Sequence, residues 1–202
     1  RDRVTLDGKA VRQQSKLYLL LHKPVGYITT YKDPEGRPTV YDLIADTGQF
    51  VGTVGRLDQD TSGLLLLSND TQFAEKVTNP DHHVVKTYVV RAATVLTDTQ
   101  LDRLRQGITL SDGPARPAIV TRVREAEGSS YIELQIDEGR NRQVRRMIEA
   151  IGSTVLELVR TAIGPITIGS LEPGAYRKLT PQEVQQLTGS SALEKRERLS
   201  LA

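Results

Sequence analysis

The chain contains no cysteine, no tryptophan and a single methionine. Without cysteine there are no disulfides and no thiolate chemistry, which suits a reducing cytoplasm. No apolar run approaches the roughly 20 residues that span a bilayer, so no membrane partner is expected. The longest run, Leu64 to Leu67, has the length of a strand core. The three histidines do not make a metal spacing: His82 and His83 are neighbours that point apart if extended, and His22 is remote. No P-loop, G-x-G-x-x-G or G-x-S-x-G motif is present. An enzyme of this composition is expected to work without metal or cofactor. Aromatics are scarce, seven Tyr and two Phe, so any stacking on a base falls mainly on tyrosine.

What is there describes an ordinary soluble globular chain of 202 residues, 38% hydrophobic and 26% charged. The formal net charge is only +2, so a nucleic-acid partner would have to be met by a local patch. Such a patch exists: Arg140, Arg142, Arg145 and Arg146 lie within seven residues. A looser basic group runs from Arg1 to Arg37.

The pattern of turns and apolar positions predicts strands at 17–21, 27–31 and 50–54, and a helical turn at 40–44. Helices are expected at 71–78, from N-cap candidates Ser68, Asn69 and Asp70, and at 98–106, from a Thr97/Gln100 capping box. Gly107 stops the latter. Strands follow at 86–92, 118–124 and 131–137, with Gly128-Ser129-Ser130 as the turn between the last two. Residues 143–151 read as an amphipathic helix, with Val144, Met147, Ile148 and Ile151 at i, i+3, i+4, i+7 spacing. Strands near 155–160, 165–168 and 176–179 precede a last helix capped by Thr180 with Pro181 at its first position. Asp7-Gly8 is a hairpin turn in a polar N-terminal segment. Residues 191–202 form a charged tail. Many strands with short turns and interspersed helices argue for an α+β fold with a mixed, mostly antiparallel sheet.

Three segments could carry chemistry. The first is Gly55-Arg56-Leu57-Asp58, a short polar loop running through Asp60 into the leucine strand. A rigid strand can hold a nucleophilic carboxylate still. A structural salt bridge is the ordinary alternative for Asp58, and loop hydrogen bonding for Asp60. The second is Glu138-Gly139-Arg140-Asn141-Arg142-Gln143-Val144-Arg145-Arg146-Met147. With Asn141 as N-cap, backbone N–H groups and guanidinium groups would face one region, as in phosphate binding. A solvated basic face is the alternative. The third is Lys86-Thr87-Tyr88, where Lys86 and Tyr88 share a strand face. Tyr88 could stack on a base or simply pack in the core.

These three motifs, in this order, resemble the pseudouridine synthases, in the branch acting on bacterial ribosomal RNA. That branch includes the small-subunit enzyme and the B-, E- and F-type enzymes of the large ribosomal subunit. The chain looks most like the B type. Lys23-Pro24-Val25-Gly26, Gly164-Pro165 and Gly174-Ala175-Tyr176-Arg177 look like the same branch. The resemblance covers residues 17–188. It implies a pseudouridine synthase fold, its sheet flanked by helices and crossed by a catalytic cleft. Asp58 would be the catalytic aspartate and Arg145 its ion-pair partner. Tyr88 would stack on the target uracil and help remove the C5 proton. Arg56 would fill the space of the flipped base or bind backbone. Leu64 and Val144 would wall the pocket, and Lys86, Arg140, Arg142 and Arg146 would contact RNA. No cofactor is implied. The partner would be ribosomal RNA or a pre-ribosomal particle, 23S rather than 16S, with the enzyme a cytoplasmic monomer. Residues 1–16 look like the tail and linker of a small S4-like RNA-binding domain, and 17–190 like the catalytic domain. Two other readings remain at this point. A non-catalytic RNA-binding module for ribosome assembly would need the basic helix but not Asp58. A glycoside hydrolase would pair Asp58 with Asp60.

Overall fold

Four consecutive leucines can all be buried only in a strand covered on both faces, and the sheet is built around such a strand. The computed structural model describes residues 14–189 and, before them, Thr5, Leu6, Lys9 and Ala10. Strands β1 (Thr5–Leu6) and β2 (Lys9–Ala10) pair antiparallel. The expected Asp7-Gly8 turn between them lies outside the described residues, as does the 191–202 tail. The main sheet uses β3 (Tyr18–Lys23), β4 (Gly52–Val54), β5 (Ser62–Ser68), β6 (Lys86–Ala92), β9 (Ile119–Ala126), β10 (Ser129–Ile136), β11 (Val155–Ile163), β12 (Ile166–Thr167) and β13 (Tyr176–Lys178). A small ribbon of β7 (Thr109–Leu110) and β8 (Gly113–Pro114) stands apart. The helices are α1 (Thr71–Thr78), α2 (Asp98–Gln106), α3 (Gln143–Ala150) and α4 (Pro181–Thr188).

The sheet order is β13-β3-β5-β11-β6-β10-β9, with β4 against β5 and β12 against β11. One pairing is parallel, β5 with β11 at the centre, and the rest are antiparallel. The mixed, mostly antiparallel sheet of the α+β expectation is therefore present. Leu64 and Leu66 enter one core with Val54, Phe73 and Val77, and Leu65 and Leu67 enter another with Val40, Val51 and Leu57. The apolar stripe of α3 packs with α2 residues Leu101 and Leu104 over Val90, Ile132, Leu134 and Ile136. Burying Val144, Met147, Ile148 and Ile151, each under 5% exposed, contributes roughly 1.5–3 kcal/mol per side chain.

At the crossing of β5 and β11 the backbones approach too closely for a side chain. A Cβ on Gly63 would fall within 2.6 Å of Arg160 N and closer still to the Arg160 carbonyl oxygen. Gly63 also holds φ at +116°, a conformation that favours glycine.

Several expected details differ. Residues 27–31 form no strand, only a bridge from Ile28 to Thr39, because Pro38 and the turns around Gly26 and Gly36 leave no room for a ladder. The β9–β10 turn sits at Glu127-Gly128, both with positive φ, rather than at 128–130. Ser129 and Ser130 are buried instead, Ser130 Oγ accepting from Leu96 N at 2.7 Å.

Candidate active site

The Asp58 loop joins the short β4 to the central β5, and a buried lysine fixes it from below. Lys23, at the end of β3, is 0% exposed. Its Nζ donates to Pro24 O at 2.9 Å, Thr61 O at 2.7 Å and Gln59 O at 3.5 Å. The last two carbonyls belong to the loop on either side of Asp60. Burial pushes the Lys23 ammonium down to about 8, opposed by the charges of Asp60 and Asp58. Thr61 N also closes a turn on Asp58 O at 3.0 Å. In the sequence Lys23 belongs to the looser N-terminal basic group and, with Pro24, to the resemblance; nothing local told that the lysine points inward.

The basic segment meets this loop from the other side. Arg142 occupies the N-cap position of α3 in the left-handed region, φ 48° and ψ 34°, so Asn141 is not the cap. Asn141 O instead accepts from Arg146 Nε at 2.8 Å. The left-handed turn aims Arg142 across the cavity. Its Nη1 lies 3.3 Å from Asp58 Oδ2 and 3.0 Å from Asp60 Oδ1, and its Nη2 lies 2.9 Å from Asp60 Oδ2. The two-bond fork from Arg142, and then the nearby Arg145, hold the Asp60 carboxyl below the usual carboxylate range. One guanidinium thus bridges Asp58 and Asp60 and fills the gap that a glycosidase pair must leave for a sugar, which disfavours the paired-carboxylate reading.

Arg145 does not form the expected ion pair with Asp58. Its Nη2 reaches Asp60 O at 2.8 Å, Thr61 Oγ1 at 3.3 Å and Asp60 Oδ1 at 3.5 Å. The contact to Asp58 falls to Arg142, because Arg145 is one turn further along α3 and faces the loop backbone. Arg140 and Arg146 both converge on Asp112, beside the β7–β8 ribbon, at 3.2 and 2.7 Å. Gln143 is buried and locks the start of α3, its Nε2 donating to Glu138 Oε1 at 2.7 Å and its Oε1 accepting from Arg140 N at 3.0 Å.

A cavity of about 520 Å³ opens between these elements. Asp58, Arg56, Lys86, Tyr88, Arg140, Arg142, Val144 and Arg145 all line it. Two expected residues do not. Leu64 is fully buried beneath the floor, within the core under α1, and Arg146 is turned toward Asp112. Arg160, which sequence reasoning passed over, does line it. Asp58 stands half-exposed, its side chain 42% accessible. Among the described residues no cluster of His, Cys, Asp or Glu could hold a metal ion.

The RNA pseudouridylate synthase family profile matches residues 17–150, from β3 to the end of α3. The chain belongs to the RNA pseudouridylate synthase family. Its relatives agree along most of their length. The ribosomal large subunit pseudouridine synthase B of Bacillus subtilis strain 168 is 40% identical over 188 residues, 92% of this chain and 77% of the relative. The ribosomal small subunit pseudouridine synthase A of Escherichia coli K12 is 36% identical over 185 residues, 90% and 78%. A crystal structure of a pseudouridylate synthase superposes with a TM-score of 0.77 at 34% identity, covering 87% of this chain and 75% of that one. The pseudouridine synthase fold and the class of enzyme, an isomerase, follow. The synthase motifs recognised in the sequence, around Asp58, Tyr88 and Arg140 to Met147, all fall inside the matched region.

Proposed function

We propose that this synthase isomerises a specific uridine of ribosomal RNA, in 23S rather than 16S RNA, with Asp58 as the nucleophile. The observation that carries the reading is the shared cavity: a half-exposed carboxylate, a tyrosine and a group of arginines around a space of about 520 Å³. Isomerisation breaks a C–N bond and makes a C–C bond to the same base, so it needs neither redox change nor group donor. The uridine must leave its stack, at a cost of roughly a few kcal/mol. Tyr88 offers a stacking face that offsets it, and the arginines at the mouth offer phosphate contacts. Arg142 holds Asp58 in place before substrate arrives, while Lys23 and Arg145 brace the loop backbone. An Asp58 oxygen then bonds to C1′, or assists loss of the C2′ proton, as the base departs. The detached uracil turns over against Tyr88 and Val144 and rejoins C1′ through C5 as the Asp58–C1′ bond breaks or the proton returns to C2′; the C5 proton then leaves, helped by Tyr88, and N1 takes up a proton.

The relatives named for both ribosomal subunits support the ribosomal RNA class, and the choice of 23S rests on the resemblance of the chain's motifs to the B-type enzyme of the large subunit. Residues 1–16 would be the tail and linker of an S4-like RNA-binding domain, a reading supported by the β1–β2 pairing. The catalytic unit would act as a monomer in the cytoplasm. Asp58→Asn is expected to abolish pseudouridine formation on a ribosomal RNA fragment while leaving RNA binding intact; retained turnover would sink the role of Asp58. Pseudouridine mapping in a deletion strain would reveal the target, and loss of a 16S site would overturn the 23S assignment.

A further inference from the structure

Arg160 sits in the middle of β11, where the sheet pairing places it opposite Tyr88 of β6 and beside Gly63 of β5. Directly opposed residues share a sheet face, and Lys86, two residues before Tyr88, shares it too. All three line the cavity that contains Asp58. Arg160 is only 5% exposed. Its Nε donates to Leu64 O at 2.8 Å, which orients the guanidinium plane. Its Nη2 is buried and has no hydrogen-bond partner among the described residues. An unpaired buried N–H costs free energy unless an acceptor arrives. Lys86 adds a second cation on the same face. Burial first, and then the charge of Arg160, pushes its ammonium down, with Asp137 opposing. Beside Asp137, this face of the cavity thus holds two cations, and the Arg160 Nη2 has hydrogen-bonding capacity left for an acceptor.

Depth decides what that acceptor is. Phosphates stay hydrated at the mouth, where Arg56 and Arg142 are exposed. Only a flipped base reaches the floor beside Tyr88. We propose that Arg160, with Lys86 beside it, stabilises the negative charge that develops on the uracil ring as its bond to ribose breaks. The inference rests on the isomerase reading of this site. When N1–C1′ breaks, the bonding pair stays on the base and spreads from N1 over O2, C5 and O4. The sugar carbon compensates by a new bond to an Asp58 oxygen or by loss of the C2′ proton. A donor aimed at the developing anion is worth more in the transition state than in the ground state.

Arg160→Met keeps the side-chain length and removes both charge and donors. Single-turnover pseudouridine formation at saturating ribosomal RNA fragment is expected to slow about 100-fold, with RNA affinity and its salt dependence unchanged. On RNA carrying 5-fluorouridine at the target, whose electron-poor ring departs more readily as an anion, the deficit in base consumption should shrink. Arg160→Lys keeps charge but not the bond to Leu64 and should fall between wild type and Met. If the Met variant fails to fold, the Lys variant carries the same two-substrate comparison. An equal deficit on uridine and 5-fluorouridine would reduce Arg160 to a structural role and overturn the inference. So would weakened binding with an intact rate at saturation, which marks a phosphate contact. A wild-type chain that makes no pseudouridine sinks the isomerase reading and this inference with it. An active wild type with an equally active Met variant sinks this inference alone.

Discussion

Lys23 shows how much of a site can rest on one side chain that touches no substrate. A fully buried lysine is rare unless its ammonium is well bonded, and here three carbonyls around the Asp58 loop supply the bonds. Lys23→Met removes the donor and leaves those carbonyls unmet in the interior. The variant is expected to lose about 2 kcal/mol of stability, measured by urea unfolding. It should also lose at least about tenfold in turnover, with RNA affinity unchanged, because a loop out of place by a fraction of an ångström would misaim Asp58, the proposed nucleophile. Full activity in a destabilised but folded variant would show that the loop holds itself. Asp58, Tyr88 and the arginine cluster were legible in the sequence as residue types at motif spacing. Which arginine meets which aspartate was not. The left-handed turn at Arg142 swings that side chain onto Asp58 and Asp60 and leaves Arg145 to the loop backbone.

The elements followed their local signals where those were strong. The Thr97/Gln100 and Thr180/Glu183 capping boxes both form, and the apolar stripe of α3 is buried as its spacing predicts. The last helix carries a pH-sensitive clamp. Arg177 of β13 donates to both Glu183 carboxylate oxygens at 2.7 and 2.9 Å, and Thr180 N adds a third bond at 2.9 Å. Arg177, chiefly through these hydrogen bonds, pulls the Glu183 carboxyl from 4.5 down to about 2. A carboxylate with a lowered folded-state pKa contributes stability in full above its unfolded value and loses it as the pH falls through the folded one. Glu183→Gln should therefore cost about 1 kcal/mol near neutral pH. The gap to wild type should close as the pH drops from 4.5 to about 2. A gap that is constant with pH, followed by denaturant midpoints, would mean that packing and not the ion pair holds α4. Weak local signals failed in a consistent way. The β7–β8 ribbon has two-residue strands, too short for any periodicity to show.

At the scale of the molecule the charge is nearly balanced, +2 over 202 residues, so the proposed RNA contact is expected at the basic rim of the cavity and not across the whole surface. Arg56 is exposed on that rim. Arg56→Ala is expected to weaken binding about evenly across RNA sequences and to lower the salt slope of the affinity by about one, as read by titrations at several salt concentrations. An unchanged slope would place Arg56 on the base or its vacated space instead. By itself the sequence determined the longer elements, their apolar faces and the residue types at the site, because short-range periodicity, capping and motif spacing are written along the chain. Only the tertiary structure decided that β5 and β11 run parallel at the centre, that Gly63 must be bare there, and that Lys23 and Arg160 turn inward to the Asp58 loop and the cavity floor. Those facts depend on contacts between segments from about 40 to nearly 100 residues apart, and no local pattern records which residue of one will face which residue of the other.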